Sequence, residues 1–355
     1  MPLISRIQSS LLRWYETNKR NLPWRRKPSL YTAVLSEFML QQTRVDQMIP
    51  YYHRFLEKFP TLKRLAEAPF AQVIKLWEGL GYYRRAKNLH QTVKKLAAQR
   101  EINLDLLRRC PGVGDYTLAA VGSIALREPL AVVDGNVKRV IARFFALEGE
   151  IEKPDVGASI RRVADLWLYR RASGDWNQAM MELGATVCTP RNPLCACCPL
   201  KFGCKAFKLN KPEEFPKRLP KRPKPRKYMA AAVILRDGGE CLILRRPNRG
   251  LLPNLWEFPN VEITGKSNSG RLLKETLYKN MNIRITVGKK IADVHHAYTH
   301  FSVTASTFLC RVEKGGVMLE AKQKLKWISA KRLSGYPFPK VHKPVVDFLI
   351  KHHSI

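Results

Sequence analysis

The chain has 355 residues, enough for two domains with separate cores, and its 63 lysines and arginines against 29 acidic residues leave a formal charge of +34. Charge of that size and sign points to a polyanion, nucleic acid before an anionic membrane surface. No apolar run of the roughly twenty residues a membrane-spanning helix needs occurs, and the start MPLISRIQSSLLRWYE has neither the core nor the cleavage site of a signal peptide. A soluble, intracellular monomer with no membrane partner is the expectation. In a reducing compartment clustered cysteines are ligands before they are disulfides, and the isolated Cys110, Cys241 and Cys310 read as core residues.

In chain order, Ile4, Ile7, Leu11, Leu12 and Tyr15 fit one face of a helix, and amphipathic patterns such as TAVLSEFMLQQTRVDQM, AQVIKLWEGL and NVKRVIARFFAL continue to about residue 206 without strand alternation. Within them CPGVGDYTLAAVGSIA, residues 110–125, sets Pro111, Gly112 and Gly114 between helical segments. Such a turn aims bare N–H groups at a phosphate, although an ordinary helix–helix turn has the same glycines. Residues 188–204, CTPRNPLCACCPLKFGC, gather five of the eight cysteines. At 207–227 prolines forbid helix and like charges repel, which predicts an extended basic tether. Beyond it YMAAAVIL, CLILRR, IRITVG and SVTASTFLCRV are β-type runs, with SGRLLKETLYKN and KVHKPVVDFLIKHH helical. The predicted architecture is an all-α domain over 1–206, with the hairpin at about 108–127, followed by an α+β domain over 228–355.

LPWR at 22–25, SEFMLQQTRV at 36–45, GLGYYRRAKNLH at 79–90, VVDGNVKRV at 132–140, NQAMMELGA at 177–185 and the cysteine run span nearly the whole first domain. Together they resemble the endonuclease III superfamily of helix-hairpin-helix base-excision glycosylases, and within it the MutY adenine DNA glycosylases. The resemblance implies double-stranded DNA with adenine opposite 8-oxoguanine or guanine as substrate.

Cleaving a base from deoxyribose needs a proton on the leaving base and negative charge beneath a sugar that becomes cationic. Glu37, flanked three residues away by Val34 and Leu40, is predicted to sit against apolar surface and stay protonated. Asp134, before Gly135 and Asn136 at a helix start, is predicted to stay ionised. Read alone they are a solvated helix carboxylate and an N-cap. The resemblance implies that Glu37 protonates adenine at N7 and then activates water, and that Asp134, with Asn136 beside it, stabilises the glycosyl cation or its adduct. Tyr116 stands where bifunctional relatives carry a Schiff-base lysine and cannot form an imine, so a monofunctional enzyme is expected, with Lys138 at most an adventitious trap.

The resemblance further implies Gln42 and Tyr82 as wedges in the opened stack, with Thr43 beside Gln42, Gly112 and Gly114 on the DNA backbone, and Trp24, Arg25, Leu40 and Glu182 around the extruded adenine. The second domain is similar to the Nudix-like domain of these enzymes. Its helix lacks the closely spaced glutamates that hold magnesium, so hydrolysis of a nucleotide is not expected. Tyr298, Thr299 and His300 stand at a Phe-Ser-His pattern implied to read 8-oxoguanine, with Thr299 bonded to the lesion and Tyr298 packed beside it.

Cys188, Cys195, Cys198 and Cys204, with six, two and five residues between them, match the family's iron-sulfur loop and imply one [4Fe-4S] cluster, zinc being the chemical alternative. Cys197, inside the tight turn, is expected to point away. Arg191, Lys201 and Lys205 would then face the DNA backbone. A bifunctional pyrimidine-damage glycosylase/lyase, a non-catalytic DNA-binding iron-sulfur protein and a Nudix hydrolase are the competing readings.

Overall fold

The computed structural model describes residues 3–220, 223–236, 238–248, 250–264, 268–298, 300–317 and 324–352. The helices are α1 (Leu3–Asn18), α2 (Pro23–Arg26), α3 (Leu30–Leu40), α4 (Val45–Lys58), α5 (Leu62–Glu67), α6 (Phe70–Leu76), α7 (Arg84–Ala97), α8 (Leu104–Arg108), α9 (Asp115–Ala125), α10 (Gly135–Phe145), α11 (Pro154–Trp167), α12 (Ser173–Thr186), α13 (Lys205–Lys208), α14 (Ser269–Met281) and α15 (Lys343–Lys351). The strands are β1 (Arg226–Leu235), β2 (Glu240–Arg245), β3 (Trp256–Glu257), β4 (Asn260–Ile263), β5 (Ile283–Ala297), β6 (Ser302–Val317) and β7 (Leu325–Ser329). Among the described residues no helix is long and apolar enough to cross a membrane.

Two compact units form: Met1–Ala68 with Asn88–Lys221, and Pro69–Lys87 with Arg222–Ile355. This departs from a linear split at the basic linker, because residues 69–87 group with the second unit; the Phe338 amide, for instance, donates to Glu78 Oε1 at 3.0 Å. The linker departs from expectation too. Through Leu219 it is not an extended tether, since Arg143 Nε donates to the Phe215 carbonyl at 2.9 Å, the Ile151 amide to that of Lys217 at 3.0 Å, and the Leu219 amide to Glu152. The buried Phe215 carbonyl and its neighbours' main-chain groups find partners on the helical unit, and these outweigh the self-repulsion of the charges.

The helical unit is a bundle in which Ile7 and Leu11 of α1 pack with Val137, Ile141 and Phe144 of α10, Ile160 and Trp167 of α11, and Trp176 and Leu183 of α12. The Phe144 and Trp167 rings meet edge to face at 4.8 Å. Helix α3 is buried around nearly its whole circumference, from Ala33 to Met39, so it is a core helix rather than an amphipathic one. A capping box starts it: Ser29 Oγ accepts from the Thr32 amide at 3.1 Å, and Thr32 Oγ1 from the Ser29 amide at 2.8 Å.

The second unit holds a seven-stranded sheet of order β3-β2-β1-β6-β5, with β4 pairing β1 and β7 pairing β2. β1 and β6 run parallel from Arg226 opposite Ser302 to Leu235 opposite Arg311; the other pairs are antiparallel. Alternation along β1 feeds two cores. Ala230, Ala232 and Ile234 meet Leu273 and Leu277 of α14, while Val233 joins Val345, Val346 and Leu349 of α15. The chain is therefore an all-α domain followed by an α+β domain covered on both sheet faces.

Candidate active site

A cleft of about 910 Å³ opens in the helical unit between α2, α3, α9, the start of α10 and α12. Glu37, Asp134, Tyr116, Asn136, Trp24, Arg25, Leu40, Thr43 and Glu182 all line it.

Glu37 is 4 % exposed because α3 is buried on every side, not only beside Val34 and Leu40. Its Oε2 accepts from the Tyr116 hydroxyl at 2.7 Å, and that hydroxyl also lies 3.8 Å from Met181 Sδ. Burial raises the Glu37 carboxyl to about 7; the Tyr116 bond pulls it down and the charge of Asp134 adds to the rise. Burial next to Glu37 drives the Tyr116 phenol well above its ordinary range, so it is a donor at any working pH.

Asp134 caps α10. Its Oδ1 accepts from the Asn136 and Val137 amides at 2.9 and 2.7 Å, and its Oδ2 from Asn136 Nδ2 at 2.9 Å. Burial raises this carboxyl, and these hydrogen bonds together with Arg139 offset part of the rise. Glu37 thus stands about 7 with one hydrogen bond, and Asp134 has three donors to hold its charge.

Behind the pair lie residues that sequence reasoning passed over. Arg139, one turn along α10 from Asn136, donates to Asn136 Oδ1 at 2.8 Å, to the Gly184 carbonyl at 2.7 Å and to the Cys188 carbonyl at 2.7 Å. Asn177 accepts from the Val132 amide and donates to the Leu130 carbonyl and Ser123, which fixes the strand-like approach to Asp134. Gln41 reaches from the end of α3 to Thr117 Oγ1 at 3.0 Å and the Gly112 carbonyl at 3.4 Å. The helical spacing of Arg139 from Asn136 was the available signal for the first; Asn177 and Gln41 were marked only by lying in the motifs at 177–185 and 36–45.

Glu182 lines the cleft as the partner of two arginines. Burial raises its carboxyl most, but the Arg20 and Arg25 guanidinium groups outweigh this and lower it, bonded to its oxygens at 2.6 and 2.9 Å. Arg25 spends its other donors on Gln178 and the Arg20 carbonyl, and so shapes the cleft wall. Trp24 stacks edge-on to Tyr52 at 5.6 Å.

Gln42 lies outside the cleft, exposed and in left-handed conformation at φ +57 after α3 ends. The Gly112–Gly114 turn is exposed as well. Gly112, at φ +79, admits no side chain: a Cβ would lie 2.5 Å from Asn88 Nδ2. Thr92 and Lys95 hold the same turn through the Pro111 and Arg109 carbonyls. Tyr82 and the Tyr298 turn belong to the other unit.

In that unit Tyr298 packs against His296 and Phe301, centroids 4.6 and 4.9 Å away, and its amide donates to the Phe301 carbonyl. Burial pushes its phenol up to about 12. His300 is exposed, and Thr299 lies outside the described residues.

Cys188, Cys195, Cys198 and Cys204 line one cavity of about 30 Å³ with Val140, Arg143 and Phe144. Cys197 is exposed and outside that lining. Arg143 Nη1 donates to Cys188 Sγ at 3.4 Å and to the Thr189 carbonyl at 2.6 Å. Burial raises the Cys198 thiol to about 12, and the neighbouring thiols add to it. Among the described residues no three His, Cys, Asp or Glu side chains are grouped to hold a single metal ion.

With this geometry in hand, residues 35–164 match the HhH-GPD superfamily of base excision DNA repair proteins, and residues 230–348 match the NUDIX domain. A solved thermostable thymine-DNA glycosylase shares 25 % identity and a TM-score of 0.52 over 58 % of this chain and 97 % of its own. The class is thus a helix-hairpin-helix base-excision glycosylase joined to a Nudix domain. The adenine DNA glycosylase of Rattus norvegicus is 33 % identical over 87 % of this chain and 71 % of its own length. That of Schizosaccharomyces pombe is 35 % identical over 74 % and 71 %, and one from Buchnera aphidicola of Schizaphis graminum is 29 % identical over 95 % and 96 %. The chain belongs to the adenine DNA glycosylase family.

Proposed function

We propose that this glycosylase hydrolyses the N-glycosidic bond of adenine paired with 8-oxoguanine or guanine in duplex DNA and leaves an abasic site without cutting the strand. The observation that carries the chemistry is the buried Glu37, held near neutrality by burial and hydrogen-bonded to Tyr116, in the same cleft as Asp134. Once the adenine is extruded into the cleft, protonated Glu37 delivers its proton to the ring nitrogen and turns the base into a neutral leaving group. Asp134 opposes the cationic sugar with a charge that three donors already orient. Ionised Glu37 is then the base that draws a proton from attacking water. Tyr116 holds Glu37 and offers no amine, so no imine forms and no β-elimination follows.

The four cysteines fit an iron-sulfur cluster. All four line one apolar cavity and Cys197 does not, and four thiolates with this spacing suit a [4Fe-4S] cluster. When bound, the cluster supplies a thiolate cross-link for the loop; the hydrolytic chemistry needs no electron. Recognition of the opposite base is assigned by the resemblance to Gln42, to Tyr82, and to Thr299 and His300.

Duplexes with A:8-oxoguanine, A:G and C:8-oxoguanine, assayed with and without alkali, test the reading. Adenine release from the first two, with strand breaks only after alkali, is expected. Breaks without alkali would instead indicate a lyase.

A further inference from the structure

Tyr82 is 41 % exposed at the tip of a turn that only special backbone conformations allow, with Gly79, Gly81 and Tyr82 at φ +93, +82 and +49. Trp77 Nε1 and Arg85 Nη2 both donate to the Gly81 carbonyl, at 2.9 and 3.2 Å, and the Arg85 guanidinium lies 5.3 Å from the centroids of the Trp77 and Tyr82 rings. The turn is therefore stiff, and its aim depends on what holds its foot.

At the foot stands Glu78, its side chain 15 % exposed. Glu78 Oε1 accepts from the Phe338 amide at 3.0 Å, and Oε2 is ion-paired to Lys75, whose Nζ also donates to the Tyr336 carbonyl at 3.3 Å. Residues 336–338 are themselves set by the sheet: Phe338, 1 % exposed, packs on Phe258 at 5.4 Å, and Tyr336 stands edge-on to Trp256 at 5.2 Å. A carboxylate bonded to a buried amide is a strong, directional tie, and without it that amide would be orphaned.

We infer that Glu78, assisted by Lys75, is a positioning residue for recognition of the base opposite adenine: it fixes the Tyr82 turn to the 336–338 segment, so that Tyr82 and the C-terminal sheet approach the lesion strand as one body. This rests on the proposed recognition of 8-oxoguanine. The test uses the full chain with Asp134→Asn to stop turnover, and the Kd for A:8-oxoguanine and A:G duplexes. The parent protein is expected to prefer 8-oxoguanine. Glu78→Ala should lower that preference by about tenfold, the scale of one charge-assisted hydrogen bond. Glu78→Gln, whose amide oxygen still accepts from Phe338, should restore most of it. Lys75→Met, a change at a one-third exposed side chain, should lower it by a smaller factor. Equal affinities in the parent would overturn the recognition reading and the inference with it. A parental preference that survives intact in folded Glu78→Ala and Lys75→Met, or equal weakening on both duplexes, would overturn the inference alone.

Discussion

At the residue scale the account turns on Glu37. Its carboxyl stands at about 7 in the folded chain against 4.5 as the ordinary value, so the folded state holds a proton that the unfolded chain releases. Its contribution to stability is present below about 4.5 and is lost as pH rises through 7. Glu37→Gln should therefore be more stable than the parent at pH 8, by on the order of 1–3 kcal/mol in denaturant titrations, while adenine release is abolished. Single-turnover release by the parent should fall as pH rises through about 7, as the acid is lost. A flat profile would place the proton donor elsewhere. The Val34 and Leu40 neighbours made an apolar setting legible in the sequence. The Tyr116 bond was not, because it depends on how α3 packs on α9, and the rise at Asp134 was not either, because a cap position says nothing about burial.

At the scale of elements, Asp134 and Asn136 are held by the approach of α10 to α12. Gly184 has no side chain to separate them: a Cβ there would lie 2.5 Å from Asn136 Cβ. Gly184→Ala should cost about 1–3 kcal/mol of stability and slow adenine release more than it weakens DNA binding, read by single-turnover rates beside Kd. Helical periodicity foretold the all-α domain, and alternation foretold the strands of the sheet. The capture of residues 69–87 by the second unit was not legible, since an amphipathic pattern marks a face to be buried but not the partner that buries it. Likewise the prolines and charges of the linker predicted a tether, whereas Arg143 and Ile151 hold it through main-chain groups that no side-chain pattern advertises. In the cysteine loop, Cys197→Ser should keep iron content and thermal midpoint, whereas Cys198→Ser should lose both, because only the latter lines the shared cavity.

On the scale of the whole molecule, a formal charge of +34 makes phosphate contacts a large part of DNA affinity. Affinity for a duplex without a lesion should fall by about tenfold or more between 50 and 200 mM salt, with the preference for the lesion pair far less affected. Charge and the cysteine spacing announced that partner early, but the cleft that brings Glu37 and Asp134 together emerged only from the fold. The most direct test is single-turnover adenine release from an A:8-oxoguanine duplex by the parent and by Glu37→Gln. The account predicts free adenine and an alkali-labile strand from the parent, and DNA binding without release from the variant. Release retained by Glu37→Gln would contradict it.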